Sequence, residues 1–163
     1  EIENSIIVES NKLPWDYNNS KLKDIEIKVG DYISIVDAAL ISSGLEDIWL
    51  KSQEFDGVWL RKNGRRPLFL HSDEIKEKKY GENLIFETVI LRSIIDHDIN
   101  KGVEPLIEIG NKLGFKKLTL RLKILPDLQP ILQSTLDKNL VDLGDTGIVI
   151  KLPNNRLAVC TKI

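Results

Sequence analysis

The sequence predicts an α+β domain, with a small, mainly antiparallel sheet, a long buried helix and two further helices. Three observations carry that prediction. Short runs rich in β-branched residues, separated by Gly, Pro and Asn, fill the chain up to Ser72. Asn83 to Ile99 then runs without Gly or Pro and is densely apolar. Beyond it, two segments carry Pro in the first turn where a helix would start. At 163 residues the chain can bury roughly two thirds of its unfolded surface without a disulfide or metal. No linker composition interrupts it, so residues 1–163 read as a single α+β domain. The absence of methionine, at position 1 included, fits a processed chain or a piece of a longer protein, and the second is the expectation.

Taken in order, Ile6, Ile7 and Val8 form a short strand, and Pro14, Asn18 and Asn19 mark a loop that Trp15 and Tyr17 pin to the domain. Ile25, Ile27 and Val29 alternate with charged residues, and Gly30-Asp31 turns the chain into Tyr32 to Val36, which is a hairpin signal. Ala38 to Ile41 fits either a helix or a strand and stops at Ser42-Ser43-Gly44. Ile48, Trp49 and Leu50 read as another strand. Gly57 to Leu60 and Pro67 to His71 form a pair, with Asn63-Gly64 supplying positive φ at the turn.

Ser72-Asp73-Glu74 offers a helix start leading into the polar run up to Lys79. Asn83 to Ile99 follows as the central helix, wet along a narrow strip only, with Ile90 and Ile94 on its back. A strand from Leu84 to Leu91 is the competing reading, and length favours the helix. Glu104 to Leu113 is a helix entered through Pro105 and closed by Gly114. Lys116 to Ile124 alternates as a strand, with Leu118, Leu120, Leu122 and Ile124 on one face and Lys117, Thr119, Arg121 and Lys123 on the other. Asp127 caps a helix from Leu128 to Lys138 that has Pro130 in its first turn. Ile148 to Leu152 and Leu157 to Thr161 close the chain as a hairpin around Pro153 to Arg156.

Composition narrows the function classes. A formal net charge of −2 gives no global attraction to nucleic acid or membrane, so any partner must be argued from a local patch. No apolar run approaches the ~20 residues of a membrane helix, which argues against membrane insertion. Cys160 is the only cysteine; it excludes an internal disulfide and a Cys-rich zinc site, favours a reducing, cytoplasmic compartment, and lies in an apolar strand as a core residue. No phosphate-binding glycine loop and no Gly-x-Ser-x-Gly elbow occurs, and no cofactor is implied. Gly144-Asp145-Thr146-Gly147 contains the Asp-Thr-Gly of aspartic proteases in one copy where two are needed, and reads as a turn. His71 lies near Asp73 and Glu74, and His97 lies between Asp96 and Asp98, the residue types of a metal site without spacing that joins them. His97 instead suits the C-terminal turn of the central helix.

Two constellations remain. Arg61, Lys62, Arg65 and Arg66 crowd one hairpin tip, while Lys117, Arg121 and Lys123 line the polar face of the Lys116 to Ile124 strand. Such a patch attracts phosphates or an acidic protein surface. The chain therefore reads as a non-catalytic interaction module of a larger protein or assembly, with a protein partner or nucleic acid bound through Arg61, Arg65, Arg66, Lys117, Arg121 and Lys123. The alternative is enzymatic. Asp56, on the strand Asp56 to Leu60, followed by Glu74-x-Lys76 resembles the metal-dependent nucleases of the PD-(D/E)xK superfamily. That resemblance implies two carboxylates holding a divalent cation and a lysine steadying the developing charge. It departs from the family where Glu74 and Lys76 follow Ser72-Asp73 in a helix start instead of lying on the second strand.

Overall fold

The computed structural model describes residues 27–53, 57–73 and 84–163. The expected strand at Ile6, the loop with Trp15 and Tyr17, and the helix start after Asp73 lie outside them. In order, the described elements are β1 (Tyr32–Val36), α1 (Ala38–Ser42), α2 (Glu46–Gln53), β2 (Gly57–Arg61), β3 (Leu68–His71), β4 (Ile85–Asp96), a 3₁₀ turn (Ile99–Lys101), α3 (Glu104–Leu113), β5 (Phe115–Leu120), α4 (Gln129–Asn139), β6 (Asp145–Leu152) and β7 (Arg156–Lys162). Among the described residues a seven-stranded mixed sheet with four α-helices thus replaces the small, mainly antiparallel sheet with a long buried helix. The chain divides into two compact units, residues 1–27 with 31–88 and residues 28–30 with 89–163.

The expected central helix is β4, a 12-residue strand. Half of those residues are β-branched (Ile85, Thr88, Val89, Ile90, Ile94 and Ile95), and such side chains lose χ1 freedom in a helix while packing well on a pleated surface. Apolarity on both faces makes a buried strand resemble a helix wet on one strip, and here tertiary pairing decides.

In the first unit β3 lies between β2 and β1 and is antiparallel to both. Gly64 takes a positive φ of 89° in the six-residue connection from Arg61 to Leu68, whereas Asn63 does not. The carboxylate of Asp37 accepts from the Ala39 amide at 2.9 Å and starts α1. Gly44, at φ 71°, follows its end. Ile48-Trp49-Leu50, expected as a strand, belongs to α2, whose first turn carries Glu46 and Asp47 and whose last carries Lys51, both favourable to the helix dipole. One fully buried side chain, Trp49, faces the core there with Val36, Leu40, Trp59 and Phe69. Each large apolar side chain removed from water is worth about 1.5–3 kcal/mol. The first arm of the hairpin expected around Gly30 is not a strand at Ile27–Lys28; Val29-Gly30 form a turn, and the Gly30 amide donates to Leu91 at 2.8 Å in the second unit.

In the second unit the hydrogen-bonded order is β4-β7-β6-β5, antiparallel except for the parallel pair β5–β6. The β6–β7 hairpin is as expected, and Asn154 and Asn155 take φ of 64° and 58° at its tip. Of Gly144 to Gly147, expected as a turn, Asp145 to Gly147 are instead the start of β6. Pro105 and Gly114 bound α3 as predicted, the glycine in the left-handed region at φ 79°. In α4, Pro130 lies in the first turn, but the cap is Leu128 and Asp127 makes no capping bond.

The strand expected from Lys116 to Ile124 is shorter. β5 ends at Leu120, with one further ladder bond from the Arg121 amide to the Val149 carbonyl at 2.9 Å. Gln133 of α4 accepts from the Leu120 amide and donates to the Leu118 carbonyl, both at 2.9 Å. Its amide stands in for a neighbouring strand and covers this sheet edge. A bulge between Phe115 and Lys117 turns Phe115 and Leu118 to the buried side and leaves both Lys116 and Lys117 exposed. Leu122 and Ile124 leave the strand and pack against the core built on Leu106, Phe115, Leu118 and Leu136.

Candidate functional site

The connection between β2 and β3 is where the described residues gather unbalanced positive charge. Its four cations have different tasks. The Lys62 ammonium pairs with Glu46 Oε1 of α2 at 3.0 Å, with side-chain exposures of 13% and 6%, so this lysine braces the loop against the helix from within. Arg61 donates from Nη2 to the Arg66 carbonyl at 3.0 Å and closes the loop on itself. Partial burial lowers its pKa from 12.5, which leaves it a cation at neutral pH. Arg65 is exposed.

Arg66 lies over the ring of Phe86, with its guanidinium carbon 5.3 Å from the centroid. Phe86 is 55% exposed although it belongs to a strand whose neighbours are mostly covered. The result is a partly exposed aromatic ring with an arginine guanidinium over it. Sequence reasoning missed Phe86 because it set residues 83–99 in a central helix wet along a narrow strip only. Strand alternation places Phe86 on the face opposite the buried Val89 and Leu91.

The other predicted cations belong to the second unit. Lys117 is exposed on β5, whereas Arg121 and Lys123 lie beyond its end, so strand alternation does not set the three on one face. Lys123 is exposed and Arg121 half-buried.

The nuclease constellation of Asp56, Glu74 and Lys76 lies outside the described residues. Among the described residues no group of three His, Cys, Asp or Glu side chains could hold a metal ion. His71 has no nitrogen to offer one. Nδ1 lies 2.8 Å from the Asp73 carbonyl and must carry the proton, and Nε2, 2.8 Å from Ser34 Oγ, accepts from that hydroxyl. Ser34 Oγ in turn lies 2.8 Å from Thr88 Oγ1. A hydroxyl, an imidazole and an orienting carbonyl in series have the order of an activated nucleophile. Ser34 is only 1% exposed and His71 3%, so no substrate reaches the serine and the chain of bonds is a satisfied buried network joining β1, β3 and β4.

His97 follows the end of β4 instead of closing a helix, and its Nε2 donates to the Gly102 carbonyl at 2.8 Å. Cys160 is buried in β7, where desolvation pushes its thiol up to about 12, so it is a core residue and no nucleophile. No helix among the described residues is long and apolar enough to cross a membrane.

No protein-family model matches the chain, and no curated protein does. Among solved structures it is similar to one described as a "putative methyltransferase from Porphyromonas gingivalis W83", at 16% identity and a TM-score of 0.47. The match covers 96% of this chain and 36% of that one, so the chain spans well under half of the structure it resembles. A likeness of that depth carries no argument for function.

Proposed function

We propose that the chain is a non-catalytic binding module that engages single-stranded nucleic acid through Arg61, Arg65, Arg66 and Phe86. The observation that carries this reading is Arg66 lying over an exposed Phe86 ring within an arginine-bearing loop. Guanidinium groups supply phosphate contacts, and the ring offers a face on which any base can stack, at about 1–3 kcal/mol per base. The buried Lys62–Glu46 pair fixes the base of the loop, which limits the ordering cost of binding. Lys117, Arg121 and Lys123 enter the proposal as a separate basic region of the second unit, to be reversed independently.

The test is fluorescence anisotropy with a labelled single-stranded RNA, a matching DNA and an acidic peptide. Arg65→Glu with Arg66→Glu is expected to weaken RNA binding by tenfold or more, about the worth of one or two phosphate contacts. Phe86→Ala is expected to weaken RNA and DNA but not the acidic peptide. Equal affinity of the parent and the arginine reversal for every probe would sink the proposal. Binding of the peptide alone would move the reading to an acidic protein partner.

A further inference from the structure

We infer that the second unit carries a separate small-ligand site for a phosphorylated, hydroxyl-bearing molecule of the sugar-phosphate class. The site is a cleft of about 650 Å³ formed by the end of β4, the 3₁₀ turn, the segment after β5 and the β6–β7 hairpin. That volume is in the range of small-molecule sites. Three ammonium groups reach it from three different elements: Lys101 from the 3₁₀ turn, Lys123 from beyond β5 and Lys151 from β6. None of the three is ion-paired among the described residues. Like charges lining one concave wall repel one another, and a bound phosphate turns that repulsion into attraction.

The cleft is not uniformly positive, and its acidic groups select the rest of the ligand. Asp96 ends β4 and Asp98 caps the 3₁₀ turn, accepting from the Asn100 amide at 3.0 Å through one oxygen. Both Asp96 oxygens and the second Asp98 oxygen are acceptors, and ionised carboxylates bind hydroxyl donors well. A plain polyanion would be repelled by them, whereas a molecule with a phosphate at one end and hydroxyls at the other satisfies both groups. The buried Ile99 and Leu157 add apolar surface to the lining. No Phe, Tyr or Trp side chain lines the cleft, and the one ring in its lining, His97, is tied through Nε2 to the Gly102 carbonyl, so recognition rests mainly on the sugar phosphate.

Isothermal titration calorimetry with ribose 5-phosphate, ribose, inorganic phosphate and AMP tests this. Ribose 5-phosphate is expected to bind at least about tenfold more tightly than ribose or phosphate alone, since both ends contribute charge-assisted hydrogen bonds. Lys123→Gln with Lys151→Gln should weaken it by a similar factor or more, with an unchanged melting temperature because both lysines are exposed. Asp96→Asn should weaken ribose 5-phosphate and leave or improve the affinity for phosphate. AMP binding as tightly as ribose 5-phosphate would identify a nucleotide as the source of the sugar phosphate, and weaker AMP binding a free sugar phosphate. Absence of ribose 5-phosphate binding, equal binding of phosphate alone, or a double lysine variant with parental affinity would each overturn the proposal.

Discussion

Lys62 and Glu46 show how residues of one composition class divide between structure and surface. Both are charged and both are nearly buried, paired at 3.0 Å, and the second carboxylate oxygen of Glu46 is buried with no hydrogen-bond partner among the described residues. Removing one partner of such a pair strands a charge in a poorly solvated place, so Lys62→Met is expected to cost about 3–5 kcal/mol in urea denaturation. Adding Glu46→Leu should recover most of that loss. A Lys62→Met variant as stable as the parent would show the pair to be solvated. His71 sets a pH dependence of definite sign. Burial lowers its pKa from 6.5, outweighing the Asp73 carbonyl bond and the charges of Asp73 and Asp31, all of which raise it. The unfolded chain therefore binds the proton more readily, and the stability of the neutral buried imidazole is present above about pH 6.5 and lost as pH falls toward the lower folded pKa. The melting temperature of the parent should drop more between pH 7.5 and pH 5 than that of His71→Gln, and parallel slopes would contradict the assignment.

At the scale of elements, β4 is the informative case. Its apolar residues satisfy a helical stripe and its β-branched residues satisfy a strand, and only the ladder with β7, from Val89 opposite Lys162 to Asp96 opposite Arg156, settles which. The strand makes a sharp demand of alternate positions. Leu91 is fully buried and Phe86 is not, so Leu91→Ala should cost about 2–5 kcal/mol while Phe86→Ala stays within about 0.5 kcal/mol, measured by thermal or urea unfolding. Comparable losses at the two positions would refute the strand's alternation. β5 teaches the same lesson at its end. Apolar residues continue to alternate through Leu122 and Ile124, yet the matched register ends with Leu120 opposite Val149 and a single further bond from the Arg121 amide to the Val149 carbonyl.

For the molecule as a whole, a formal charge of −2 means that any polyanion meets a mildly repulsive particle with local cationic patches. Binding through three arginines should then be weak and strongly dependent on salt. For a single strand, three neutralised phosphates imply a slope of log affinity against log salt of about −2. Arg66→Glu should make that slope shallower by roughly one unit or more, because it removes one phosphate-neutralising cation and puts a repelling carboxylate in its place. A slope near zero in the parent would indicate that stacking and shape carry binding without the arginines.

Read alone, the sequence determined what depends on neighbours along the chain. Pro105 and Gly114 bound α3 because one lacks an amide that the first turn does not need and the other takes a positive φ at little cost. Asn154 and Asn155 turn the β6–β7 hairpin for a related reason. The arginine cluster of the β2–β3 connection was legible as composition. Tertiary structure alone decided what depends on pairing across sequence distance: that residues 85–96 are a strand, that β5 and β6 run parallel, that Lys62 is spent on Glu46, and that Phe86 emerges beside Arg66. A short helix such as α2 is held by one buried tryptophan more than by its own propensity, and a strand acquires its hydrogen bonds only from partners elsewhere in the chain.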